Sequence, residues 1–76
     1  MELQEFISNF ADQFEDTDAS EITKNTIFKD LDEWSSLLAL SVSAMAEEEY
    51  GVSFKGDDIR NASTVEDLYM ILKNKS

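Results

Sequence analysis

The chain has 76 residues, 42% of them hydrophobic, enough for one small core and a single domain expected over residues 1–76. It contains no cysteine and no histidine, which excludes disulfides, thiolate or imidazole metal sites, thiol nucleophiles and Ser-His-Asp chemistry; no catalytic residue and no metal ligand is expected. Seventeen acidic side chains against six basic ones leave a net charge of −11, a field that repels nucleic acid and anionic membranes and speeds encounter with basic protein surfaces.

The opening Met1-Glu2-Leu3-Gln4-Glu5 is acidic where a secretory signal is basic, and no apolar segment follows it. The longest uncharged run, Trp34 to Ala46, is too short to cross a bilayer. A cytoplasmic protein without membrane insertion is the expectation. Leu3, Phe6, Ile7, Phe10 and Phe14 recur at helical spacing with acids on the other faces, which predicts an amphipathic helix over residues 2–15. From Asp16 to Lys29 the periodicity stops, and a long loop is predicted, pinned to the core by Ile22, Ile27 and Phe28. Its Asp16-Thr17-Asp18-Ala19-Ser20 matches the start of an EF-hand loop. Glu21 stands where the invariant glycine belongs and Ile27 where the bidentate glutamate belongs, so the loop is read as a solvated acidic segment. The pairs Asp30 with Asp32 and Asp57 with Asp58 also lie in polar stretches, with no apolar pocket to raise a carboxyl pKa.

A second helix is predicted from Ser35 or Ser36 to about Tyr50, stopped by Gly51. Leu37, Leu40, Ala44 and Glu48 form one stripe and Leu38, Val42 and Met45 another, so this helix is apolar around most of its circumference until Glu47-Glu48-Glu49. Such a helix is either buried on several sides or offers part of that surface to a partner. After an extended Val52–Phe54 connection, Asp57 to Ala62 fits one short helical turn with Ile59 inward. Ser63 and Thr64, each followed three residues later by Glu66 or Asp67, signal capping boxes for a last helix with Val65, Leu68, Ile71 and Leu72 on one face and Lys73 and Lys75 at its negative end. The expected fold is all-α: three main helices plus one short one around a single core.

The ordered set Phe28-Lys29-Asp30-Leu31-Asp32-Glu33-Trp34-Ser35-Ser36-Leu37, then Glu47-Glu48-Glu49-Tyr50-Gly51-Val52 and Ser63-Thr64-Val65-Glu66-Asp67-Leu68, resembles the acyl carrier protein family. In that family a serine followed by leucine opens the second helix and accepts 4′-phosphopantetheine from coenzyme A. The resemblance implies covalent attachment at Ser36, with Ser35 as second choice and as N-cap. It also implies a phosphopantetheinyl transferase and acyl-loading or acyl-using enzymes as partners. A phosphodiester at Ser36 would sit at a helix N-terminus, where free N–H groups favour an anion. The arm would bring the thiol that a cysteine-free chain lacks.

Two departures stand beside the serine: Ser35 replaces the family's usual acid immediately before it, and Glu33 replaces a frequent glycine three residues before it. The first puts transferase choice in question. Family partners meet acids along the second helix; here Leu38 and Ser41 occupy positions that are often acidic, and only Glu47, Glu48 and Glu49 retain the pattern. The expected docking surface comprises Leu37, Leu38, Ser41, Met45, Glu47 and Glu48, and its apolar upper part suggests a dedicated biosynthetic pathway. Leu40, Ala44, Met45, Phe54, Ile59 and Leu68 are the expected lining for a sheltered acyl chain. An aminoacyl or peptidyl carrier, or an unmodified acidic helical adaptor docking through the second helix, are the alternatives, and a monomer is expected.

Overall fold

The computed structural model describes residues 2–75; Met1 and Ser76, the two ends of the expected 1–76 domain, lie outside the described residues. Helix α1 spans Leu3–Ala11 and buries Phe6, Ile7, Phe10 and Ala11 on one side. It ends four residues before the predicted limit. Beyond Ala11 the main chain tightens into i→i+3 turns, with the N–H of Gln13 donating to Phe10 O at 3.1 Å and that of Phe14 to Ala11 O at 3.0 Å. Phe14 still reaches the core, so the hydrophobic period outlasts the helix itself.

The loop that follows is ordered by two 3₁₀ turns, Ala19–Glu21 and Phe28–Asp30. Asp18 caps the first of them, accepting the Ser20 N–H at 3.0 Å, while Glu21 accepts the Asp18 N–H at 3.2 Å. Ile22 and Phe28 are buried as anticipated, but the Ile27 side chain is 49% exposed. Ile27 anchors through its main chain instead. It forms an isolated antiparallel bridge with Thr64, flanked by Val65 N–H to Thr26 O at 3.1 Å and Glu66 N–H to Lys24 O at 3.0 Å. The loop is thereby stitched to the start of the last helix.

Helix α2 spans Ser36–Tyr50, capped by Ser35 and closed by Gly51 in the left-handed conformation at φ 68°. Leu38, Val42, Met45 and Ala46 face inward at i, i+4, i+7 and i+8. Helix α3 spans Gly56–Asn61 and α4 Val65–Lys75. At the start of α4 a single capping box operates. Thr64 Oγ1 accepts the Asp67 N–H at 3.1 Å, and Asp67 Oδ2 accepts the N–H groups of Thr64 and Ser63 at 3.0 and 2.9 Å. The inward face of α4 is Val65, Leu68, Tyr69 and Leu72, with Ile71 only half-buried at its edge. An ion pair from Lys75 to Asp58 at 3.0 Å ties α4 to α3. All described regular structure is helical, as the periodicity implied.

The core is largely a chain of aromatic rings. Phe10 lies 6.1 Å from Phe6, 5.3 Å from Phe14, 6.0 Å from Phe28 and 6.3 Å from Trp34, centroid to centroid. Each fully buried phenylalanine contributes roughly 1.5–3 kcal/mol through area alone, and well-oriented ring pairs add about 0.5–1.5 kcal/mol each. Among the described residues no charged or amide side chain is buried, so that gain carries little desolvation cost from side chains.

Candidate prosthetic-group attachment site

The site is built by the five residues that lead into α2. Leu31 accepts the Trp34 N–H at 3.0 Å, turning the chain so that the indole lies against the aromatic core. Trp34 meets Phe28 edge-on at 4.8 Å and stacks over Phe10 and Phe14 at 6.3 and 6.4 Å. Beside it, the Glu33 carboxylate gathers four donors from the turn after α1: the N–H groups of Glu15, Asp16 and Thr17 at 2.8, 3.0 and 2.9 Å, and the Thr17 hydroxyl at 3.0 Å. The Glu15 N–H, foremost among these donors, holds the Glu33 pKa below the ordinary glutamate value, since each bond favours the ionised form. Glu33, noted from the sequence only as a missing glycine, thus clamps the α1 corner to the segment before the serines.

The two serines then part company. Ser35 is extended, at φ −157°, and its Oγ accepts the Leu38 N–H at 3.4 Å, a long cap bond. Ser36 is the first residue of α2; its side chain is exposed, with no hydrogen bond to any described residue. It lines a groove of about 410 Å³ between α2 and α3, together with Ala39, Leu40, Ser43, Phe54, Lys55, Gly56 and Ile59. A larger depression of about 520 Å³ is walled by Asp16, Glu21, Asp30, Asp32 and Glu33 and excludes both serines.

Of the residues expected to line a chain-binding surface, Leu40, Phe54 and Ile59 share the Ser36 groove. Ala44 and Met45 belong to a different, polar groove of about 290 Å³ against α1, with Asn9, Asp12 and Gln13. Leu68 is fully buried in the core and lines neither. The outer face of α2 carries Leu37, Ser41, Glu47 and Glu48 as expected, plus Leu40 and Ala44. Leu37 and Leu40 are 69% and 68% exposed. Leu38 and Met45 leave that face: at 9% and 6% exposure they point into the core with Val42, because their positions lie about 100° around the helix from Leu37. Sequence reasoning missed Ala39, Ser43, Lys55 and Gly56 as lining of this groove. The first two were legible, since residues 36, 39, 40 and 43 form one i, i+3, i+4, i+7 row; Lys55 was not.

The described residues thus form a small four-helix domain with an exposed serine at a helix start and an apolar groove beside it. The sequence profile of the family described as phosphopantetheine attachment site matches residues 4–70, and the chain belongs to that family. No curated protein and no solved structure matches the chain. The domain is therefore a carrier and a site of covalent 4′-phosphopantetheine attachment. The residues present fit the group. The first N–H groups of α2 have no partner within the helix and face an incoming anion. No carboxylate lines the groove to repel a phosphodiester. Carrier domains of this kind are generally not catalytic themselves, and no described helix is long and apolar enough to cross a membrane.

Proposed function

We propose that this chain is an acyl carrier protein that bears its 4′-phosphopantetheine on Ser36 and shuttles acyl thioesters between cytoplasmic biosynthetic enzymes as a monomer. The observation that carries the choice of serine is the division of labour between neighbours. The Ser35 hydroxyl accepts a main-chain N–H and caps α2, whereas the Ser36 hydroxyl is exposed and lines the apolar groove between α2 and α3. The prosthetic arm supplies a terminal thiol; the chain supplies the attachment oxygen, the helix-start N–H groups and the groove. Activation of the Ser36 hydroxyl falls to the transferase, because no histidine is present to act as a base.

Partner enzymes meet the outer face of α2. Leu37 and Leu40 offer an apolar contact next to the serine, the small side chains of Ser41 and Ala44 extend the face, and Glu47 and Glu48 add charge two to three turns further on. A partner complementary to this face has an apolar patch close to its active-site mouth and basic residues roughly 15 Å away along the helix. That arrangement supports a dedicated pathway over general fatty-acid synthesis. Intact mass after incubation with coenzyme A and a broad-specificity phosphopantetheinyl transferase tests the reading. The gain of one phosphopantetheine is expected for wild type and Ser35→Ala and is lost in Ser36→Ala. A gain retained by Ser36→Ala moves the site to Ser35, and no gain with any transferase favours an unmodified adaptor.

A further inference from the structure

Lys55 is the one charged side chain on the wall of the Ser36 groove, in a protein whose net charge is −11. The remaining lining is Ala39, Leu40, Phe54, Gly56 and Ile59, with the Ser36 and Ser43 hydroxyls. The acids next to it are engaged by other cations. Asp57 pairs with Arg60, and Asp58 Oδ2 accepts both the Lys75 ammonium at 3.0 Å and the main-chain N–H of Lys55 at 2.8 Å. Asp58 feels the Lys55 charge more weakly than these contacts. Lys29, a further cation reaching toward α3, donates to Arg60 O at 2.7 Å and lies over the Phe28 ring. The Lys55 ammonium is thus exposed, makes no ion pair with a described residue, and shares its groove with the attachment serine.

From this placement, and resting on attachment at Ser36, we infer that Lys55 pairs with the phosphodiester of the arm and lays the arm along the groove between α2 and α3. Ser36 and Ser43 are seven residues apart on α2, so the groove runs about 10 Å along the helix, shorter than an extended arm. Its first part takes the phosphate between the α2 start and Lys55. Ala39, Leu40, Phe54 and Ile59 then contact the apolar carbons, and the Ser43 hydroxyl is available to an amide of the arm. The phosphate is already tethered one side chain away. Pairing therefore needs no association step, and even a weak exposed contact shifts the equilibrium between docked and free arm. In a chain this acidic, the single groove cation also spares the phosphodiester the repulsion it meets elsewhere on the surface. Lys55 acts as a positioning residue: it sets how much time the thiol spends against the carrier and how much it spends extended to a partner.

The test uses full-length, isotopically labelled protein in its apo and holo forms, the holo state confirmed by mass, with Lys55→Gln, Lys55→Arg and the control Lys24→Glu, a lysine outside the groove. Holo-minus-apo amide shifts are expected to cluster at Ala39, Leu40, Ser43 and Ile59, with a parallel change in the phosphorus resonance. Lys55→Gln is expected to lower the docked population roughly two- to fivefold, and Lys55→Arg and Lys24→Glu to leave it unchanged. Raising salt toward 1 M is expected to mimic Lys55→Gln, because screening at about 3 Å removes the pair. The side chain of Lys55 makes none of the α3 cap bonds, so each variant's own apo spectrum is a sound reference. A mass gain with groove shifts that are absent, or equal in Lys55→Gln, overturns this inference and leaves Ser36 as the site. An effect of Lys55 seen only when the arm carries a carboxylated cargo, and not in holo or acetylated protein, also overturns it. Failure of the mass gain overturns the attachment reading and this one together.

Discussion

Replacing Trp34 by alanine tests how the core positions the serine. The indole is half-buried, edge-on to Phe28 at 4.8 Å and stacked over Phe10 and Phe14. Truncating a fully buried Trp costs about 3–5 kcal/mol, and the solvent-facing part of this one reduces the expected loss to about 2 kcal/mol. For 76 residues the unfolding entropy is roughly 160 cal/mol/K, so that loss lowers Tm by about 12 °C. It removes a large share of a total stability of roughly 4–11 kcal/mol. Circular dichroism melts of apo protein measure it, and Trp34→Phe, which keeps one ring edge on Phe28, should recover about half of the drop. Because Trp34 fixes the entry into α2, the initial rate of phosphopantetheinylation at a temperature where the variant is still folded should fall as well. A Tm change under about 4 °C, or a full melt shift with an unchanged modification rate, would refute the claim that the aromatic cluster sets the register of the serine.

The remaining predictions are simpler. Ser35→Ala loses a cap bond of 3.4 Å and should cost about 0.5 kcal/mol in urea unfolding, at the low end for an N-cap, while Ser36→Ala changes stability by less than that yet abolishes the mass gain. Gly51→Ala places a Cβ at φ 68° with no neighbour within 4 Å, so the loss of about 1–2 kcal/mol is conformational; Gly51→Asn should lose less. Asp18, Glu33, Asp58 and Asp67 all have depressed pKa values, in each case chiefly through a main-chain N–H: that of Ser20, Glu15, Lys55 and Thr64 respectively. A carboxyl whose folded pKa is depressed contributes stability present above its unfolded value near 4 and lost as pH falls through the folded values. Unfolding free energy should therefore drop below about pH 4, and Glu33→Gln should flatten that limb while leaving the fold intact at neutral pH. Tyr50 has a raised pKa, first because its ring is partly buried and then through the nearby Glu5 and Glu49 charges, against the lowering effect of the bond its hydroxyl accepts from Asn9 Nδ2 at 2.9 Å. Stability from that group is present below pH 10 and fades as pH rises through the folded value, so Tyr50→Phe should remove the steepest part of the alkaline limb.

What could be derived from residue order alone was whatever repeats with a fixed period or depends on one residue's local conformation. The helical periods of Leu3–Phe14 and Leu38–Met45, the glycine stop at Gly51, the Thr64-Asp67 box and the order of elements around Ser36 and Leu37 all belong here, and with them the family. Periodicity says which residues share a stripe but not which stripe meets the core. On a helix as evenly apolar as α2, packing against the aromatic cluster made that choice, sending Leu38 and Met45 inward and leaving Leu37 and Leu40 to solvent. Contacts between segments far apart in sequence were likewise decided in three dimensions. Glu33 fills the N–H groups of residues 15–17, Ile27 anchors by a main-chain bridge to Thr64, and Lys55 arrives beside a serine nineteen positions earlier. Side-chain spacing cannot encode such meetings, because they depend on how the helices dock and on where the loop between them is tied down.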